Sequence, residues 1–84
     1  MEAPVADPIT RILHYRGCRV TVRASYHTTE AGFLAWWQIE QGGKTDIGYI
    51  AESFPTAEGA LAAAVVRARD RVDEAIMHGW LDGP

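Results

Sequence analysis

The chain has 84 residues, of which 48% are hydrophobic and 23% charged, with a formal net charge of −3 and one cysteine. That length makes a single domain, the acidic balance excludes a global cationic field of the kind that drives non-specific nucleic-acid binding, and a lone cysteine excludes an intrachain disulfide. No apolar run reaches the roughly 20 residues of a membrane helix, and Met1 to Pro8 has neither the basic start nor the hydrophobic stretch of a signal peptide, so a reducing, cytoplasmic setting is expected.

Residues 1–8, small and polar with prolines at positions 4 and 8, are expected to be a flexible lead-in to one domain over 9–84. Ile9 to Arg16 predicts a first strand. Cys18 to Ser25 predicts a second, because Cys18, Val20, Val22 and Ala24 alternate with Arg19, Thr21 and Arg23. A two-residue turn at Arg16-Gly17 pairs Tyr15 with Cys18, His14 with Arg19, Leu13 with Val20 and Ile12 with Thr21. That register gathers the apolar residues on one face. Tyr26 to Gly32 reads as a loop.

Phe33 to Gln41 predicts an aromatic third strand, Gly42-Gly43 a hairpin turn, and Lys44 to Ala51 a fourth strand. Two registers compete across that turn. A two-residue loop sets Ile39 opposite Asp46, whereas an odd loop with a bulge sets Ile39 opposite Ile47 and Trp37 opposite Tyr49. Burying an aspartate without a partner costs several kcal/mol, so the odd loop is expected.

Ser53-Phe54-Pro55-Thr56 leads into a helix over 56–78, with Thr56 as its cap and Glu58 in the first turn. Ala57, Ala60, Leu61, Ala64, Val65, Ala68, Val72, Ala75 and Ile76 recur at helical spacing. Arg67, Asp70, Arg71 and Glu74 fill the opposite, solvated face, and Arg69 with Asp73 makes an i,i+4 pair worth about 0.3–0.5 kcal/mol. Gly79 is a natural stop. The expected fold is α+β: a four-stranded antiparallel meander, ββββα, with one long C-terminal helix packed on one face. A helix of this length spans about 34 Å, while strands of the expected length reach about 25 Å. Its end, with Ile76, Met77, Trp80 and Leu81, is therefore expected to overhang, folding back on the sheet edge or docking on a second copy.

Adjacent strand residues point to opposite faces, so Trp36 and Trp37 cannot both face the helix. The pattern of Phe33, Ala35 and Ile39 puts Trp37 inside. Trp36 then shares the outer face with Leu34, with Arg19, Thr21 and Arg23 of the second strand, and with Ile12 and His14 of the first. This surface, apolar at its centre and basic at its edge, is the candidate interaction surface. A cover for neighbouring side chains, a protein contact (most simply a homodimer) and a stacking platform for bases or a small planar ligand, as in a nucleic-acid-binding or antitoxin-like regulator with Arg19 and Arg23 meeting phosphates, are its three readings.

Chemistry-bearing patterns are sparse. His14 and Cys18 point to opposite faces, His27 falls in a loop, and His78 ends the helix. There is no CxxC, HxxxH or HExxH spacing and no phosphate-binding glycine motif. No catalytic, cofactor-binding or metal-binding residues are expected, and no enzymatic activity. A homodimer or another protein partner is expected, nucleic acid and membrane are not.

Tyr15-Arg16-Gly17 before an alternating strand, the tryptophan-bearing third strand, and Phe54-Pro55-Thr56-Ala57-Glu58 opening an alanine-rich helix with Ala68-Arg69 and Val72-Asp73 resemble a group of short proteobacterial proteins that form a domain of unknown function. The likeness covers most of residues 12–76 and implies a fold without an activity. Phe54 to Leu61 is also similar to the helix entry of HicB-type antitoxins, small sheet-plus-helix proteins that bind a toxin. That second likeness spans about ten residues; here four strands precede the helix and no DNA-binding segment follows it.

Overall fold

The computed structural model describes residues 8–83; the expected lead-in lies outside them, apart from Pro8. Four strands, β1 (Ile9–Tyr15), β2 (Cys18–His27), β3 (Gly32–Gln41) and β4 (Lys44–Phe54), are followed by one helix, α1 (Ala57–Met77). The strands form one antiparallel sheet in chain order, β1-β2-β3-β4. The expected α+β meander is therefore the fold.

The first hairpin has the register that alternation in β2 demands: Tyr15 faces Cys18, Leu13 faces Val20 and Ile12 faces Thr21. Arg16 and Gly17 both take positive φ, 49° and 81°, as a two-residue turn matched to the strand twist requires. The second hairpin departs from expectation. Gly42 and Gly43 form a strict two-residue turn, with φ of 52° and 85°, and Ile39 faces Asp46 while Trp37 faces Gly48.

Two interactions favour that register over the expected odd loop. Asp46 does not lack a partner: Arg71 Nε of α1 approaches its Oδ2 to 2.7 Å, out of line for a hydrogen bond but close enough for an ion pair. Gly48 also leaves room for Trp37, whose ring occupies the place a side chain there would take. The irregularity expected at the turn lies instead at the far end of the pair, where Phe33 to Ala35 of β3 spans Phe54 to Ile50 of β4.

Strands β2 to β4 are also longer than expected. Tyr26 pairs with Phe33, edge to face at 5.3 Å between ring centres, so β2 runs on to His27 and the expected loop shortens to a turn over residues 28–31. Phe54 belongs to β4 rather than to the helix entry. Strands of 10 or 11 residues reach about 33–36 Å. The 21-residue helix is about 31 Å long and lies along them without overhang: Glu58 meets Arg11 near the start of β1, and Asp73 meets Tyr15 at its end. One sheet under one helix makes a slab of 48 × 20 × 16 Å with a radius of gyration of 14.0 Å, against the roughly 12 Å of a rounder chain this long.

The core lies between α1 and one sheet face. Cys18, Val20, Val22 and Ala24 of β2, Ala35, Trp37 and Ile39 of β3, and Ile50 of β4 meet Ala60, Leu61, Ala64, Ala68, Val72 and Ala75 of α1. Alanine at positions 60, 64, 68 and 75 lets the helix settle close onto β2 and β3. Thr56 caps it, its Oγ1 accepting from Gly59 N at 3.0 Å. Polar contacts then strap the helix to both edges. At β1, Asp73 accepts from Tyr15 Oη at 2.9 Å and from Arg16 Nη1 at 2.9 Å. At β4, Arg71 pairs with Asp46. Arg71 is thus not on a purely solvated face, and the ion pair of Asp73 is with Arg16; Arg69 instead lies over the ring of Tyr15 at 5.0 Å.

Candidate interaction surface

Alternation along the strands leaves the second sheet face uncovered by any described element. Cross-strand register organises it into three rows. The first runs Thr10, Arg23, Trp36, Tyr49; the second Ile12, Thr21, Gln38, Ile47; the third His14, Arg19, Glu40, Thr45. All seven residues expected on this face are there. Ile12, His14, Arg19 and Arg23 are exposed, and Thr21, Leu34 and Trp36 are half-buried.

Ile47 and Tyr49 belong to the same face and were missed, because the expected register turned them toward the core. They are 56% and 74% exposed, so the apolar part of this face continues from β3 onto β4, while β2 contributes only Arg19, Thr21, Arg23 and Ser25 to it. The signal that locates them is Gly48: a glycine between two large residues in a strand marks the side where something packs closely. Its neighbours must then point the other way.

The guanidinium of Arg23 lies over the Trp36 ring at 5.0 Å and its Nε donates to Thr10 Oγ1 at 3.2 Å. Such a contact is worth about 0.5–1 kcal/mol at an exposed site and holds Arg23 flat against the sheet. Beside this pair is an open depression of about 270 Å³ lined by Arg23, Ser25, His27, Leu34, Trp36 and Tyr49. Arg19, Arg23 and Glu40 take part in no ion pair among the described residues.

The expected tail contact separates into buried and open parts. The chain turns back at Gly79, where Trp80 N and Leu81 N both donate to Ala75 O. Leu81, 2% exposed, completes the core, and Ile76 packs against it; neither is on offer to a partner. Gln41 clamps Asp82 through both its amide groups, at 2.6 and 2.7 Å, and Lys44 Nζ donates to Trp80 O at 2.7 Å. Trp80 lies 5.7 Å from the Arg71 guanidinium. The tail folds back over the β3–β4 turn, and Met77 alone of the four stays largely open.

On the helix side, Cys18 is fully buried, and desolvation pushes its thiol above the ordinary range, only partly offset by Arg16. Arg16, followed by Tyr15, holds the Asp73 carboxyl below its ordinary range. A second hollow of about 180 Å³ is bounded by Tyr15, Val66, Arg69, Asp70 and Asp73. Among the described residues, no three His, Cys, Asp or Glu side chains gather as a metal site would require, and no helix is long and apolar enough to cross a membrane.

Comparison with known protein families, with curated proteins and with solved structures finds no match for the chain.

Proposed function

We propose that this protein is a non-catalytic interaction module of the cytoplasm that self-associates through its open sheet face. One observation carries the reading. The core is completed within the chain by α1 and Leu81, yet Leu34, Trp36, Ile47 and Tyr49 remain together on the other side of the same sheet, with Ile12 on its far edge strand across the polar residues of β2. Exposed apolar side chains gathered on β3 and β4 beside the polar residues of β2 mark an interaction site. The one nucleophile of note, Cys18, is buried on the face away from His14, which supports a non-catalytic role.

Sedimentation across a concentration series tests the proposal. Association in the micromolar range, abolished by Trp36→Ala with the fold intact by circular dichroism, is the expected result. A strict monomer at high micromolar concentration overturns it.

The stacked Arg23–Trp36 pair beside an open depression favours a second reading, a regulatory protein that binds single-stranded nucleic acid, with Trp36 and Tyr49 stacking on bases and Arg19 and Arg23 meeting phosphates. An antitoxin-like role belongs to this alternative. Titration with single-stranded RNA and DNA at low and raised salt separates the two: salt-sensitive binding supports the second reading, and none at low salt removes it.

A further inference from the structure

The geometry points to a specific two-fold dimer, with the symmetry axis parallel to the strands and passing between β2 and β3, so that the open face of one copy covers that of the other. The inference rests on self-association through this face and adds the partner contacts that fix its geometry.

The rows carry it. An axis between β2 and β3 lays each row over the same row of the second copy, read in reverse. Arg23 then meets Trp36 of the partner subunit, Arg19 meets Glu40 of the partner subunit, and Ile12 meets Ile47 of the partner subunit. Thr21 and Gln38 supply hydrogen-bonding groups to each other across the middle row. Across the three rows the contacts join unlike charges, a cation with a ring, two polar groups or two apolar groups; only Ser25, laid over Leu34 of the partner subunit, sets a polar group against an apolar one. Arg19 and Glu40 are direct neighbours in the sheet, yet neither is engaged in an ion pair among the described residues. A facing copy turns these two charges into a closed group of four.

The other in-plane axis, running across the strands through the middle row, gives the opposite result. It sets Arg23 over Arg19 and Trp36 over Glu40 of the facing copy, stacking like charges and burying a carboxylate on an indole. Like-charge contact of that kind costs several kcal/mol and rejects the arrangement.

The dimensions suit a second copy. Aligned sheets pack about 10 Å apart with strand directions within about 30° of each other, which keeps the central columns of Arg19, Arg23, Trp36 and Glu40 in register. Four strands about 4.8 Å apart and some eight residues long give a footprint of about 500 Å² on each copy. The two together bury about 1,000 Å², the lower bound for a specific interface, so the dimer is reversible.

Charge reversal and crosslinking test the axis. Arg19→Glu and Glu40→Arg each weaken the dimer by about tenfold or more, and an equimolar mixture of the two variants restores it, because each then meets its opposite. With the axis across the strands, Arg19→Glu would strengthen the dimer by placing an acid over Arg23. A short bis-maleimide crosslinks an Ile12→Cys chain to an Ile47→Cys chain in preference to either with itself; Cys18, fully buried, stays silent. A wild-type dimer with no rescue in the mixture and no such preference overturns this axis and leaves self-association standing. A monomeric wild type overturns both.

Discussion

Gly48 of β4 lies under the ring of Trp37 so closely that a Cβ there would stand 2.2 Å from Trp37 Cζ2. Glycine inside a strand ordinarily weakens it; here it is what lets an indole lie over β4 and close the core beside Ile39. Gly48→Ala is therefore expected to destabilise by about 1–3 kcal/mol through overpacking, with near-ultraviolet dichroism reporting a displaced tryptophan. A substitution to alanine at Gly42, where nothing stands in the way but φ is positive, costs about 1 kcal/mol from backbone strain alone. Urea unfolding measures both. Equal and small losses would mean that Trp37 yields easily.

Asp46 and Arg71 make a second test of the β3–β4 register. The Asp46 and Arg71 side chains are 27% and 35% exposed, so solvent screens the pair and its direct worth is modest. Arg71→Met leaves Asp46 Oδ2 shielded without its cation and is expected to cost about 1–2 kcal/mol. Asp46→Asn in the same chain recovers most of that loss. Chemical denaturation of the four members of the cycle gives the coupling; additive effects would remove the ion pair from the account of the register.

Asp73 gives a pH signature. Arg16, then Tyr15, lowers its carboxyl in the folded chain, so its stabilising contribution is complete above the unfolded value, about pH 4, and is lost as pH falls through the lower folded value. Wild type is expected to exceed Asp73→Asn in melting temperature near neutrality, and the gap to close only in acid, below about pH 4. A gap unchanged down to acid pH would show that the carboxylate charge is not what holds α1 to β1.

Two buried residues report the seal at the end of the slab. Leu81→Ala is expected to cost about 2–3 kcal/mol, as for a core leucine, despite its place beyond the helix. Cys18, buried and with its thiol pushed upward, is expected to resist alkylation at neutral pH until the chain unfolds. Accelerated labelling of Cys18 in the Leu81→Ala chain would trace a breach at this end, whereas unchanged labelling and stability would place the tail outside the core.

Much of the fold was legible because its signals are local. Alternation in Cys18 to Ala24 set the first hairpin, and Thr56 with Glu58 marked the start of the helix. The β3–β4 register was not legible by the same means. Asp46 looked unaffordable only because its partner, Arg71, is supplied by a helix that folds over it. Strand ends were hidden for a related reason: Tyr26 and Phe54 stay in the sheet by packing with Phe33, a contact between strands rather than a feature of either. The β1–β3 half of the candidate surface followed from alternation, and the β4 half failed with the register. Leu81 was misplaced because a glycine stop says that a helix ends and not where the chain goes next.

In β2 the even-numbered residues from Cys18 to Ala24 face the core, and the odd-numbered residues from Arg19 to Ser25 face the open side of the sheet. The two sets share a backbone and almost nothing else. The odd set can therefore be substituted with little effect on the core, while the even set keeps the same slab standing. A scaffold divided in this way is a natural starting point for building new binders, since its outer residues can be varied together without renegotiating the core.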